Sequence, residues 1–157
     1  MTNMSCRCIN RKSYPGYTSI TNNVAQVVAT DQLVNPGSVV RTSCVGNITP
    51  TGNNSLTVRQ TGTYYIDVQL IGTPTAVGTE TEGTIQPTIT VNGLEVASAV
   101  VPVTATIYDT QFNVRAITPL NCGDVVTISN SGSFTLTMES ANVLGGYNVS
   151  IVIERFN

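Results

Sequence analysis

A chain of 157 residues with 41% hydrophobic and only 10% charged residues has the size of one domain, and 7 Lys and Arg against 9 Asp and Glu leave a net charge of −2. That length suffices to bury roughly two thirds of the unfolded surface around one core. The charge balance excludes the basic footprint by which proteins wrap a phosphate backbone, so no nucleic-acid partner is expected.

Residues 1–20 read as an arm. They hold Cys6 and Cys8 with the cations Arg7, Arg11 and Lys12, and they contain no apolar run of the length a secretory signal needs. No uninterrupted apolar span in the chain is long enough to cross a bilayer. Cys6-Arg7-Cys8 lacks the two-residue spacer of zinc knuckles and redox dithiols, so the pair reads as a cross-link to neighbouring subunits or an anchor to a larger body. The three cations suit contact with an acidic particle surface, or a solvated tail. Cys44 and Cys122 read as small buried residues.

Residues 21–157 read as one all-β domain. Apolar residues alternate with period two between Gly, Pro and Asn punctuation, and helical spacing persists nowhere. Strands are predicted over 24–29, 39–45 and from Leu56, with loops at 47–54 and, later, at 72–83. In Gln60–Gly72, period two places Tyr64, Ile66, Val68 and Leu70 on one face, with Tyr65, Asp67 and Gln69 on the other. Asn92-Gly93 is the strongest hairpin signal, because a type I′ turn wants positive φ at both central residues. A return strand over 94–101 follows, then one with Phe112, Val114 and Ala116 on one side, then 125–129. Phe134, Leu136 and Met138 alternate with polar residues, and Val149, Ile151 and Ile153 close the chain. About ten short strands argue for a two-sheet sandwich or jelly roll.

Chemistry is sparse. Zero histidines remove the common base of nucleophilic triads and any Cys-His zinc site, and no nucleophile elbow or phosphate loop is present. Glu80 and Glu82 sit in a Thr/Gly-rich loop that predicts solvation, not the burial that raises a carboxyl pKa. Asp109, Asp124 and Glu139 could meet around a calcium ion, but the plainer reading has Asp124 capping its own turn. Asn47, Asn53 and Asn148 match the glycosylation pattern, as chance allows in so Asn/Ser/Thr-rich a chain. No enzyme, cofactor or metal is expected.

Gly62-Thr63-Tyr64-Tyr65-Ile66, Val91-Asn92-Gly93, Leu120 with Gly123-Asp124-Val125-Val126, and the terminal Val149-Ser150-Ile151-Val152-Ile153 occur in an order that resembles the tumour necrosis factor and complement-head jelly roll. The likeness covers about residues 23–157 and is greatest to the bacterial and phage branch, such as the carboxy-terminal head of the collagen-like glycoprotein of Bacillus spores. It implies a ten-strand jelly roll forming a tight homotrimer, with the Gly-X-Tyr strand and the terminal strand in the inner sheet near the three-fold axis. Unlike those glycoproteins, this chain has no collagen stalk. Tyr65, Val152 and Phe156 are then candidates for the subunit contact, although Tyr65 is also an ordinary β-former on a half-wet face. The expected function is structural: a head on the surface of a phage virion or a bacterial spore or cell, held by its arm to a capsid, tail or coat. The alternative is a trimeric adhesin gripping glycan or a host protein through its loops, with Asn47, Asn53, Thr75 and Glu80 as candidates.

Overall fold

The computed structural model describes residues 16–42, 48–140 and 146–156. Every regular element in them is a strand: β1 (Gly16–Asn22), β2 (Gln26–Val28), β3 (Gln32–Leu33), β4 (Val39–Thr42), β5 (Ile48–Thr51), β6 (Ser55–Val58), β7 (Gly62–Thr75), β8 (Glu82–Ile85), β9 (Pro87–Val91), β10 (Leu94–Ser98), β11 (Val101–Thr104), β12 (Thr110–Leu120), β13 (Val125–Asn130), β14 (Thr135–Met138) and β15 (Val149–Arg155). A seven-stranded sheet has the order β2-β14-β7-β15-β1-β4, with β12 also on β7. A six-stranded sheet has the order β10-β9-β13-β6-β5, with β3 also on β13, and β11 pairs β8 in a small third sheet. Among the described residues no helix is long and apolar enough to cross a membrane.

β7 organises the first sheet. It is fourteen residues long and pairs antiparallel with β12 from Gly62 to Gly72, with β15 from Tyr64 to Leu70, and with β14 beyond. Tyr64, Ile66, Val68 and Leu70 are fully buried, while Tyr65, Asp67 and Gln69 take the opposite, half-buried face. The core they enter is completed by Phe112 and Val114 from β12, Ile151 and Ile153 from β15, Ile20 from β1, and Leu56, Ile89, Val126 and Ile128 from the second sheet. Each such aliphatic side chain contributes about 1.5–3 kcal/mol on burial. The Tyr64 hydroxyl donates to the carbonyl of Gln60, so the ring is buried while its polar tip is satisfied. Asn92 and Gly93 have φ of 51° and 81°, as the hairpin between β9 and β10 requires.

The structure departs from the sequence reading in four places. Residue 20 does not divide arm from domain: β1 reaches back to Gly16, and Ile20 is in the core. Alternation in Gly16–Asn22 is carried by Thr18 and Ile20 with small polar residues between, a weaker pattern than the valines that follow. The loop expected at 47–54 is a hairpin of β5 and β6, and Pro50 fits because β5 is an edge strand that can spare a donor. The loop expected at 72–83 is strand as far as Thr75, since Thr135 and Thr137 extend the ladder opposite Thr75 and Thr73. Finally, Cys122 is not buried. It follows Leu120, the last core residue of β12, in an exposed turn, and it is disulfide-bonded.

Two polar devices fix the ends. At one end the buried Asn130 uses all four sites of its amide: Nδ2 donates to the carbonyls of Val28 (3.2 Å) and Phe134 (2.7 Å), and Oδ1 accepts from the amides of Gln86 (3.2 Å) and Gly132 (3.1 Å). Val28 lies in the first sheet and Asn130 in the second, so this side chain stitches the two together. A Cβ on Gly132 would stand 2.2 Å from the Thr84 carbonyl, which explains glycine there. At the other end Asp124 accepts from the Asn121 amide (2.7 Å) and from Asn92 Nδ2 (2.9 Å), joining the turn after β12 to the β9–β10 hairpin. These two bonds, the backbone one first, hold its carboxyl below the ordinary range.

Asn130→Asp keeps the shape but turns an acceptor toward two carbonyls; urea unfolding at pH 7 should show a loss of about 3 kcal/mol or more, partly recovered near pH 4 as the carboxyl is protonated. Stability within about 0.5 kcal/mol of the parent chain would contradict this role. For Asp124 the sign is opposite. Its depressed pKa contributes stability above the unfolded value of about 3.9, lost as pH falls through the folded value. Thermal scans of Asp124→Ala should therefore melt a few degrees below the parent at pH 6, with the gap closing below about pH 4; a gap independent of pH would be the contrary result.

Candidate functional site

The outer face of the seven-stranded sheet can be read off its register. Tyr65 lies between Ile117 of β12 and Glu154 of β15, and Glu154 is followed by Tyr17 of β1. In the next row Asp67 lies between Arg115 and Val152, with Ser19 beyond. The row after is polar: Asn113, Gln69 and Ser150. Phe156, just past β15, is tied by its amide to the Thr63 carbonyl. Ile117 is 69% exposed, Phe156 47% and Tyr17 44%, and Tyr65 and Val152 are half-buried. Aromatic and aliphatic side chains thus gather at one end of a face turned away from the protomer's own core.

A polar cluster sits inside this apolar zone. The Tyr65 hydroxyl donates to Asp67 Oδ2 at 3.2 Å, and Arg115 Nε donates to the same oxygen at 3.1 Å. Partial burial, and then the Asp67 carboxylate, push the Tyr65 phenol above its usual range, while Asp67 holds the Arg115 guanidinium in its charged form.

The outer face of the six-stranded sheet differs. Thr49, Thr51, Ser55, Thr57, Thr90 and Thr127 cover most of it; Thr51 pairs with Thr57 and Thr90 with Thr127 at 2.6 Å between hydroxyl oxygens, and Arg59 Nε donates to Thr49 Oγ1 at 2.9 Å. Ser55 Oγ also donates to the Thr51 carbonyl. The two faces therefore differ: one gathers apolar side chains at one end, and the other is mostly hydroxylated, with Leu33 as an exposed apolar exception.

Of the residues singled out in the sequence, Tyr65 and Val152 lie on the apolar face, one row apart on adjacent strands. Asn53 is exposed in the β5–β6 turn, Thr75 is the exposed last residue of β7, and Glu80 is exposed in the short connection between β7 and β8. Cys6, Arg7, Cys8, Arg11, Lys12 and Asn47 lie outside the described residues. The described chain starts at Gly16, opposite Arg155, at the end of the sheet that holds Phe156; the Glu80 connection leaves from the opposite end of β7. Tyr17, Ile117, Asp67 and Arg115 were missed. Ile117 had a visible signal, as an apolar residue on the otherwise polar side of β12, whereas the Asp67–Arg115 pair depends on register between strands 48 residues apart.

Among the described residues no three His, Cys, Asp or Glu side chains come together to hold a metal ion. Asp109 is engaged with Thr73, whose Oγ1 donates to Asp109 Oδ1 at 3.1 Å, Asp124 serves its turn, and Glu139 is exposed. A shallow groove of about 550 Å³ lies between β2 and β14, with Val27, Met138 and Glu139 in its walls.

No family model matches the chain, and no curated protein matches it. Its fold, however, is similar to solved structures of the tumour necrosis factor superfamily. Murine APRIL at pH 5.0 is 10% identical, with 91% of this chain covering 100% of that one at a TM-score of 0.60. Eiger TNF from S. frugiperda is 15% identical, over 90% and 92% of the two chains, at 0.55. Rabbit GITRL is 12% identical, over 90% and 94%, at 0.51. At these identities the likeness is one of fold: the chain is an all-β jelly-roll sandwich of the tumour necrosis factor type.

Proposed function

We propose that this chain is a non-enzymatic structural head that assembles as a homotrimer through the outer face of its seven-stranded sheet and decorates a larger surface, that of a phage virion or a bacterial spore or cell. The observation that carries the reading is the contrast between the two outer faces. Tyr17, Tyr65, Ile117, Val152 and Phe156 form an apolar zone on one, while the other is mostly hydroxylated, with the pairs Thr51–Thr57 and Thr90–Thr127. Contiguous exposed apolar surface marks an interaction site, and a three-fold ring of identical heterologous contacts closes on itself, leaving no copy with that zone bare.

The placement of the chain's ends supports attachment through the arm. The first described residue, Gly16, lies opposite Arg155 at the Phe156 end, and the polar connection containing Glu80 is displayed at the other. A head held by such an arm presents that connection outward. The adhesin reading, in which loops grip glycan or a host protein, has less to stand on. Strands take up Ile48–Thr51 and the chain to Thr75, leaving about six residues between β7 and β8, and the chain has no Trp.

Light scattering at micromolar concentration should give three times the 16.6 kDa chain mass. Combining Ile117→Lys with Tyr65→Ser should reduce it to one chain, with the far-ultraviolet β spectrum retained because neither side chain enters the protomer core. A parent chain that is monomeric and folded, or a variant that stays trimeric, would defeat the proposal.

A further inference from the structure

Resting on the trimer reading, we infer that the Asp67–Arg115 pair is the register-setting contact of the assembly, each copy's pair meeting the same pair on its neighbours. Asp67 Oδ2 already accepts two hydrogen bonds, from Tyr65 and Arg115, but Oδ1 has no partner among the described residues. Arg115 spends only Nε on Asp67, so both of its terminal nitrogens are unused there. The two side chains remain 28% and 64% exposed, enough for a second molecule to reach them.

Around this half-satisfied pair lie Ile117, Tyr65 and Val152. Covering those side chains with another molecule removes water from the pair as well, and charges taken out of water with unmet lone pairs and protons are strongly disfavoured. The occupant must therefore bring a donor for Oδ1 and an acceptor for the guanidinium, close together. A second copy of this chain brings both in one pair. In a closed ring of three, each pair donates to one neighbour and accepts from the other, so neither member of the pair is left over. A slipped or rotated packing strands charges against Ile117 or Val152, which makes the cluster a selector of arrangement.

A double-mutant cycle in sedimentation velocity tests this on the full-length chain, using Asp67→Leu, Arg115→Leu and the two combined, with circular dichroism as the control for folding. Each single variant leaves one unpaired charge in the contact and should raise the concentration for half-dissociation at least tenfold. The combined variant should regain much of the lost association but spread over more than one oligomeric species, because the selector is gone. Single variants that assemble like the parent, or effects that simply add in the combined variant, would overturn the inference while leaving a trimeric parent intact. A monomeric parent would instead remove the trimer reading itself, and this inference with it.

Discussion

Strict alternation along β7 is the constraint on which the rest of the molecule depends. A strand has only two faces, so the adjacent Tyr64 and Tyr65 must point apart. Tyr64 goes to the bottom of the core with its hydroxyl held by Gln60, and Tyr65 goes to the outside of the same sheet. Slipping the register by one residue would exchange the two sets, exposing Ile66, Val68 and Leu70 and burying Asp67. With β12 and β15 both laddered to it, β7 cannot slip without breaking both pairings. The outer face is thus as firmly specified as the core.

From that specification follow two asymmetries. Across the sandwich, one outer face collects aromatic and aliphatic side chains around an ion pair, and the other carries mostly hydroxyls, including the paired Thr51–Thr57 and Thr90–Thr127. Along the sandwich, Gly16 and Phe156 share one end, while the Glu80 connection and the Asn130 stitch occupy the other. A protein that acted alone would gain nothing from the first asymmetry, and one that floated free would gain nothing from the second. The proposed assembly through a face and attachment by an end would use both.

Much of the fold was legible in the residues because β alternation is local. The buried sets of β7, β12, β14 and β15 could be read directly from Tyr64 to Leu70, Phe112 to Ala116, Phe134 to Met138 and Val149 to Ile153. Misreadings came where alternation is carried by small polar residues, as in β1, or where punctuation sits inside a strand, as with Pro50 and Gly72. Cys122 was misjudged because a thiol's burial depends on its turn, and a disulfide needs a partner that spacing alone does not name. The candidate face was half legible. Tyr65, Val152 and Phe156 could be proposed from parity, but Tyr17 was assigned to the arm, and the Asp67–Arg115 pair is created by strand pairing that no local pattern encodes.

The most direct measurement places a photoreactive benzoylphenylalanine at position 65 and, separately, at position 127 on the opposite outer face, irradiates each at micromolar concentration, and sizes the products under denaturing conditions. Covalent dimers and trimers from position 65, with none from position 127, are the expected result. Products from position 127 alone, or monomer from both, would contradict burial of the Tyr65 face against neighbouring copies.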